Sequence, residues 1–386
     1  MLTIEPTSHP IRKTLPVLMC YIAMGFVDIV GVSTGYAQRD FNLSPELAQL
    51  IPSMVFVWFF VLSVPVAVFQ HHLGKRKALI LGVMATAVGM FLPFLHYSYT
   101  TLLFSFLLLG VGNTIIQVAS NPLLKEVVAT HRFSSYMSLS QFVKAISSLL
   151  GPVIVTLMVA QFGNWKLVFF VYGVVSVALG MWLLLTPIPE TQTEVSASFR
   201  SSLLLLKNPL VLFMTLSIFL IVGLDVGMNT NIQNLLVEKF GLSLEKASLG
   251  ISVYFFALMI SRFAGAMLLV KLDNARFLNW SAVLTALSVL FLMCAPTSGL
   301  AMASIVLMGI FSGNLFPLVF SLTLNRMPAR ANEISGLMTM AVVGGAVIPP
   351  VMGLINQAFG VSASFVVLLI CALYVFSTTY LFKKTT

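Results

Sequence analysis

Twelve apolar stretches follow one another through this chain, and each is long enough to cross a bilayer. Their approximate limits are 14–36, 45–70, 77–95, 98–124, 133–160, 165–186, 209–237, 246–270, 277–294, 297–325, 332–358 and 361–382. A helix needs about 20 predominantly apolar residues to span a hydrocarbon core of about 30 Å. The chain is 59% hydrophobic and 9% charged, whereas soluble domains carry about 25% charged residues. The reading is an all-α membrane protein with twelve transmembrane helices, not a soluble domain wetted on all sides.

The net charge of +9 is topological information, because the basic residues cluster in the short loops between apolar runs. Fifteen fall on one side of the membrane, and only Arg39, Lys166, Lys239 and Lys246 fall on the other. The basic side is the cytoplasmic one, so both termini and the central linker are expected in the cytoplasm of a multi-pass plasma (inner) membrane protein. No nucleic-acid partner is implied. Cys20, Cys294 and Cys371 lie in apolar runs without CxxC spacing and read as small buried hydrophobes. The five histidines sit at or outside span ends, so no metal site and no cofactor are expected.

The segment Thr186–Asn208 is rich in Pro, Glu, Thr and Ser and divides six spans from six. The expected organisation is an N-terminal six-helix bundle over 1–186, a cytoplasmic linker over 187–208 and a C-terminal six-helix bundle over 209–386. Two echoes support an internal repeat. Gly163 before the sixth span and Gly360 before the twelfth are 197 residues apart, and so are Pro152 and Pro349. Parallel halves of this kind place a solute site near the bilayer midplane between them.

Few charged residues lie well inside spans: Asp28, Lys144, Asp225 and Arg262. An ionisable side chain at that depth is costly and points to function. Asp28 is the candidate proton-coupling residue, with Lys144 as its guessed partner in the absence of substrate. Lys144 is about 17 Å along the helix from the cytoplasmic end, beyond the reach of snorkelling. Asn113, Gln117 and Asn121 form one stripe on the fourth span at i, i+4 and i+8. Gln141, Lys144 and Ser148 share a face of the fifth. Asp225, Asn229 and Gln233 repeat the stripe on the seventh, flanked by Gly223 and Gly227, which are expected to allow bending. Asn314 lies beside Pro317 in the tenth. The candidate substrate-binding set is Gln117, Asn121, Gln141, Lys144, Asp225, Asn229, Gln233 and Asn314. Asn113 and Arg262 are candidate gating or structural residues, and a structural pair with Arg262 is the alternative to a substrate role for Asp225. Pro122 also frees a carbonyl one turn earlier, which a neighbour or water must satisfy.

The stretch Gln117-Val-Ala-Ser-Asn-Pro122 resembles the fucose permease branch of the major facilitator superfamily, which carries a [Glu/Gln]-x-Ala-x-Asn-Pro stretch in its fourth span. Val27-Asp28-Ile29, Ser138-Leu139-Ser140-Gln141, Ser261-Arg262-Phe263-Ala264-Gly265 and Phe316-Pro317 match as well. The resemblance implies the major facilitator fold, a sugar:proton symporter and a proton-binding role for Asp28. Gln117 stands where the branch's namesake has a glutamate, and Lys144 where it has an asparagine facing the sugar. Gly74-Lys75-Arg76 matches the superfamily's loop signature between the second and third spans, with His71 in place of its aspartate.

The function expected is proton-coupled uptake of a fucose- or hexose-like monosaccharide by alternating access. The partners expected are the sugar, protons and the lipid bilayer, and the expected state is a monomer. Alternatives are transport of a sugar acid or other organic anion, with Lys144 as docking charge, and an efflux antiporter using Asp28 and Asp225. A non-transporting sensor would need a sizeable output domain, and the linker is only about twenty residues. An enzyme is not expected, since no nucleophile, base and orienting group stand at readable spacing.

Overall fold

Apolar runs in lipid must satisfy their backbone internally, and here they do so as helices. The computed structural model describes residues 10–43, 47, 50–188, 190, 199–242 and 244–380, and among these no strand occurs. Twelve candidate spans appear among the described residues. They are Arg12–Thr34, Ser53–Leu73, Lys75–Leu95, Tyr99–Val127, Thr130–Phe162, Leu167–Leu185, Pro209–Phe240, Gly250–Leu268, Asn274–Cys294, Ser298–Arg326, Pro328–Phe359 and Val361–Thr378.

Local sequence sets their ends. Ser98, Asn208, Asp273 and Thr297 each accept a backbone N–H of the following turn, as N-cap side chains do. Gly163 ends the fifth span at φ +62° and Gly360 the eleventh at φ +87°, a region that favours glycine. The echo extends to a positive φ but not to the whole conformation, since ψ is 14° at Gly163 and 164° at Gly360. The linker contains a short helix, Phe199–Leu204, and a 3-10 turn, Leu205–Lys207, while residues 191–198 of it lie outside the described residues.

The chain forms two compact units. One comprises 1–136, 143–202 and 328–340, and the other 137–142, 203–327 and 341–386. In the first, the inner part of the eleventh span, Ala331–Met340, packs against the second and fourth spans. Ser335 Oγ donates to the Val118 carbonyl at 2.8 Å. This is the carbonyl that Pro122 deprives of its N–H, so the partner the sequence required is Ser335.

The signature loop holds the basic end of the same unit. Glu190 accepts the backbone N–H groups of Lys75 and Arg76 at the start of the third span. Lys75 pairs with Glu126 of the fourth span, and Arg76 donates to the Leu183 and Leu184 carbonyls that end the sixth.

In the second unit, Met228, Ile232, Tyr254, Leu258, Met308 and Met352 belong to one core. The seventh helix runs unbroken from Pro209 to Phe240. Gly223 and Gly227 therefore do not interrupt it. A Cβ on Gly227 would meet Met352 and Leu368 at 2.8 Å, and one on Gly223 would collide with Ile348. Their role is close approach of helices, the usual use of small residues in membranes. Cys20 and Cys371 are buried, but Cys294 is exposed at the end of the ninth span, contrary to the sequence reading.

Candidate functional site

Asp28 sits where the first span stops being α-helical. Pro10–Gly25 is α-helix, Phe26–Ile29 is a 3-10 turn, and Val30–Asp40 resumes the α-helix. Phe26, Val27 and Ile29 are buried, while Asp28 is exposed. Two close contacts fix this turn against the fifth span. Ser147 Oγ donates to the Ile22 carbonyl at 2.8 Å. A Cβ on Gly25 would lie 2.6 Å from Ser147 Cβ and 2.7 Å from the Lys144 carbonyl, so the helices meet at a bare backbone.

Ser148 Oγ donates to Asp28 Oδ2 across this seam. Among the described residues no ion pair joins Asp28 to Lys144, which corrects the pairing guessed from sequence. The physical reason is register: the fifth span turns the backbone carbonyl of Lys144 towards the first span, and the hydroxyl one turn later reaches the carboxylate. Lys144 itself is half-buried.

The fourth-span stripe lies along the first span. Asn113 Nδ2 donates to the Met24 carbonyl at 2.9 Å, just before the 3-10 turn. Asn121 is fully buried and accepts from the Tyr21 hydroxyl at 2.6 Å. Gln117 stands between them at 5% exposure, with no hydrogen bond from its amide among the described residues. In the first unit the structure thus brings together Asp28, Lys144, Asn113, Gln117 and Asn121 around the first span.

Gln141 belongs to the second unit and is buried, with its Nε2 unpartnered. Asp225 accepts from the Tyr254 hydroxyl at 2.8 Å. It forms no ion pair with Arg262 among the described residues, so the structural pairing that is the alternative to a substrate role is not seen. Arg262 Nε instead donates to the Gly313 carbonyl at 3.3 Å. Pro317 has no N–H to offer that carbonyl, so the guanidinium replaces a missing helical bond.

Asn314 lies in the break between Ser298–Ser312 and Leu315–Arg326. It is buried, and its Nδ2 donates to the Ser261 carbonyl at 2.6 Å. Asn314 and Arg262 together tie the broken tenth span to the eighth. Asn229 and Gln233 are half-buried with Asp225 on one face of the seventh span.

Ser148 and Tyr254 are the partners that the candidate set omitted. Ser148 was visible in sequence as part of the fifth-span face. Tyr254 had no signal separating it from the many packing aromatics. Among the described residues no cluster of three or more His, Cys, Asp or Glu side chains could hold a metal ion. Chemically, the arrangement offers one exposed carboxylate held by a neutral hydroxyl, one half-buried ammonium, and amides able to bond hydroxyl groups.

Comparison with known proteins agrees with this architecture. A glucose/galactose transporter of Brucella abortus is 23% identical over 403 residues, covering 97% of this chain and 98% of the relative. The L-fucose-proton symporter of Escherichia coli is 21% identical over 358 residues, covering 84% and 82%. The solved structure of the transporter FucP in the outward conformation superposes with a TM-score of 0.87 at 18% identity, over 98% of this chain and 100% of that one. The sequence profile of the Major Facilitator Superfamily matches residues 17–232 and 215–385. The chain belongs to the Major Facilitator Superfamily.

Proposed function

We propose that this protein takes up a monosaccharide together with protons, by alternating access, in a plasma (inner) membrane with both termini cytoplasmic. The observation that carries the reading is Asp28: a carboxylate inside a span, exposed at a 3-10 break and held by a serine rather than a cation. A permanently charged acid at that depth would call for a cationic partner. One held by a neutral hydroxyl can lose its charge by binding a proton, and that is what coupling requires.

Gln117 in one unit, and Asp225, Asn229 and Gln233 in the other, are polar groups of the kind that bond hydroxyls. The names of the relatives, a glucose/galactose transporter and an L-fucose-proton symporter, support the same class. The test is uptake of labelled glucose, galactose and fucose in energised membrane vesicles. Asp28→Asn is expected to equilibrate sugar without concentrating it. Accumulation against a gradient by that variant would defeat the proton role.

A second reading has one specific observation behind it. Lys144 is half-buried inside a span, with no carboxylate paired to it among the described residues. It would serve as docking charge for an anionic substrate such as a sugar acid. Lys144→Gln then loses anionic substrates and spares neutral ones. A panel of sugars and sugar acids, scored by the rise in melting temperature they cause, separates the two readings.

A further inference from the structure

Ser148 has one hydroxyl hydrogen and two acceptors competing for it. Its Oγ reaches Asp28 Oδ2 and also lies 3.0 Å from the Lys144 carbonyl. A serine hydroxyl donates one hydrogen bond and accepts up to two. It therefore serves only one of these acceptors at a time. An ionised carboxylate is acceptor-only and draws the hydrogen in a charge-assisted bond. A protonated carboxyl is a donor, and the same serine oxygen must then accept.

We infer that Ser148 is a positioning residue that reads the charge of Asp28 and passes it to the turn of the fifth span carrying Lys144. When Asp28 binds a proton, its O–H donates to Ser148 Oγ. Ser148 turns its own hydrogen to the Lys144 carbonyl. Loss of the proton reverses both bonds, and no other group changes its proton count.

The seam is built for this exchange. Gly25 and the Ser147–Ile22 bond fix the two helices in contact, so the hydroxyl rotates without a shift of either.

The other titratable groups facing Asp28 are few. The fifth span presents Lys144. The sixth presents Tyr172, whose ring stacks on Phe26 at 3.8 Å and whose buried hydroxyl has no partner but lies within electrostatic reach of Asp28. The fourth presents only the uncharged Asn113 and Gln117. The first span's own Cys20, Tyr21 and Tyr36 lie about two turns away along the helix, with Tyr21 bonded to Asn121 and Tyr36 stacked on Trp165.

The inference rests on the reading of Asp28 as the proton acceptor, and the experiment keeps the two apart. The protonated-carboxyl band of Asp28 is followed by infrared titration of the purified full chain and identified by its loss in Asp28→Asn. Ser148→Ala removes a donor to the charged form, so the midpoint is expected to rise by about one pH unit. Ser148→Thr keeps the hydroxyl and is expected to return the midpoint to within about 0.3 unit of the wild type. Should Ser148→Ala fail to fold, Ser148→Cys, a weak donor, is expected to give an intermediate rise.

An unmoved midpoint in Ser148→Ala or Ser148→Cys overturns the inference, and so does a rise in Ser148→Thr equal to that in Ser148→Ala. If Asp28→Asn still concentrates sugar, the proton reading fails instead. If Asp28→Asn cannot concentrate sugar and the Ser148 variants leave the midpoint in place, only the role of Ser148 fails.

Discussion

Arg262 and Asp225 carry opposite charges on neighbouring spans, yet each bonds elsewhere. Asp225 accepts from Tyr254, and Arg262 donates to a backbone carbonyl. A double-mutant cycle measures this directly. Asp225→Asn with Tyr254→Phe is expected to show a coupling of up to about 1.5–3 kcal/mol in denaturation of the purified protein, the size of a hydrogen bond to a charged group. Asp225→Asn with Arg262→Gln is expected to couple more weakly, since the two side chains form no ion pair among the described residues and meet only through the field each exerts on Tyr254. The same logic applies to Asn121. Tyr21→Phe removes the donor to a fully buried acceptor, and the expected loss is about 1–3 kcal/mol of stability, read as a lower melting temperature.

Prolines govern the elements. At three of them the carbonyl left without its helical donor is met by a side chain from another helix. Ser105 donates to Gly89 four residues before Pro93, Ser335 to Val118 before Pro122, and Arg262 to Gly313 before Pro317. Sequence tells which carbonyl is freed, because the missing N–H is a property of proline. It does not tell which helix answers. Pro317→Ala restores the N–H, so Arg262→Gln is expected to cost at least about 1 kcal/mol less in that background than in the wild type.

At the other end of the first unit, Tyr97 and Trp165 both donate to Asp40 at 2.8 Å. Burial, and then the Asp40 carboxylate, push the Tyr97 phenol above its ordinary range. A raised phenol keeps its proton in the folded state while the unfolded chain loses it near pH 10. Its contribution is therefore full below about pH 10 and declines above it. Tyr97→Phe is expected to lower the melting temperature at pH 8 and to soften its fall above about pH 10.

For the whole molecule, orientation follows from loop charge, and the structure supplies a native reporter. Cys294 is exposed at the end of the ninth span, whereas Cys20 and Cys371 are buried. With the termini in the cytoplasm, an odd-numbered span ends outside. An impermeant maleimide added to intact cells is expected to label the wild type and not Cys294→Ser. Labelling only after lysis would reverse the orientation. The eleventh span passes from one compact unit to the other at the 3-10 segment Ala341–Val343, so its sequence continuity does not coincide with its packing.

The chain's own order of residues settled how many spans there are, which residues share a helical face, and where charge is carried into the apolar layer. Periodicity and length suffice for that, because each is a property of one helix. The tertiary structure decided that Asp28 meets Ser148 rather than Lys144, and Asp225 meets Tyr254 rather than Arg262. A hydrogen bond needs donor and acceptor within about 3 Å, and that depends on the rotation and axial register of two helices at once. Register is set by where backbones can touch, as they do at Gly25, and no spacing along a single helix encodes it.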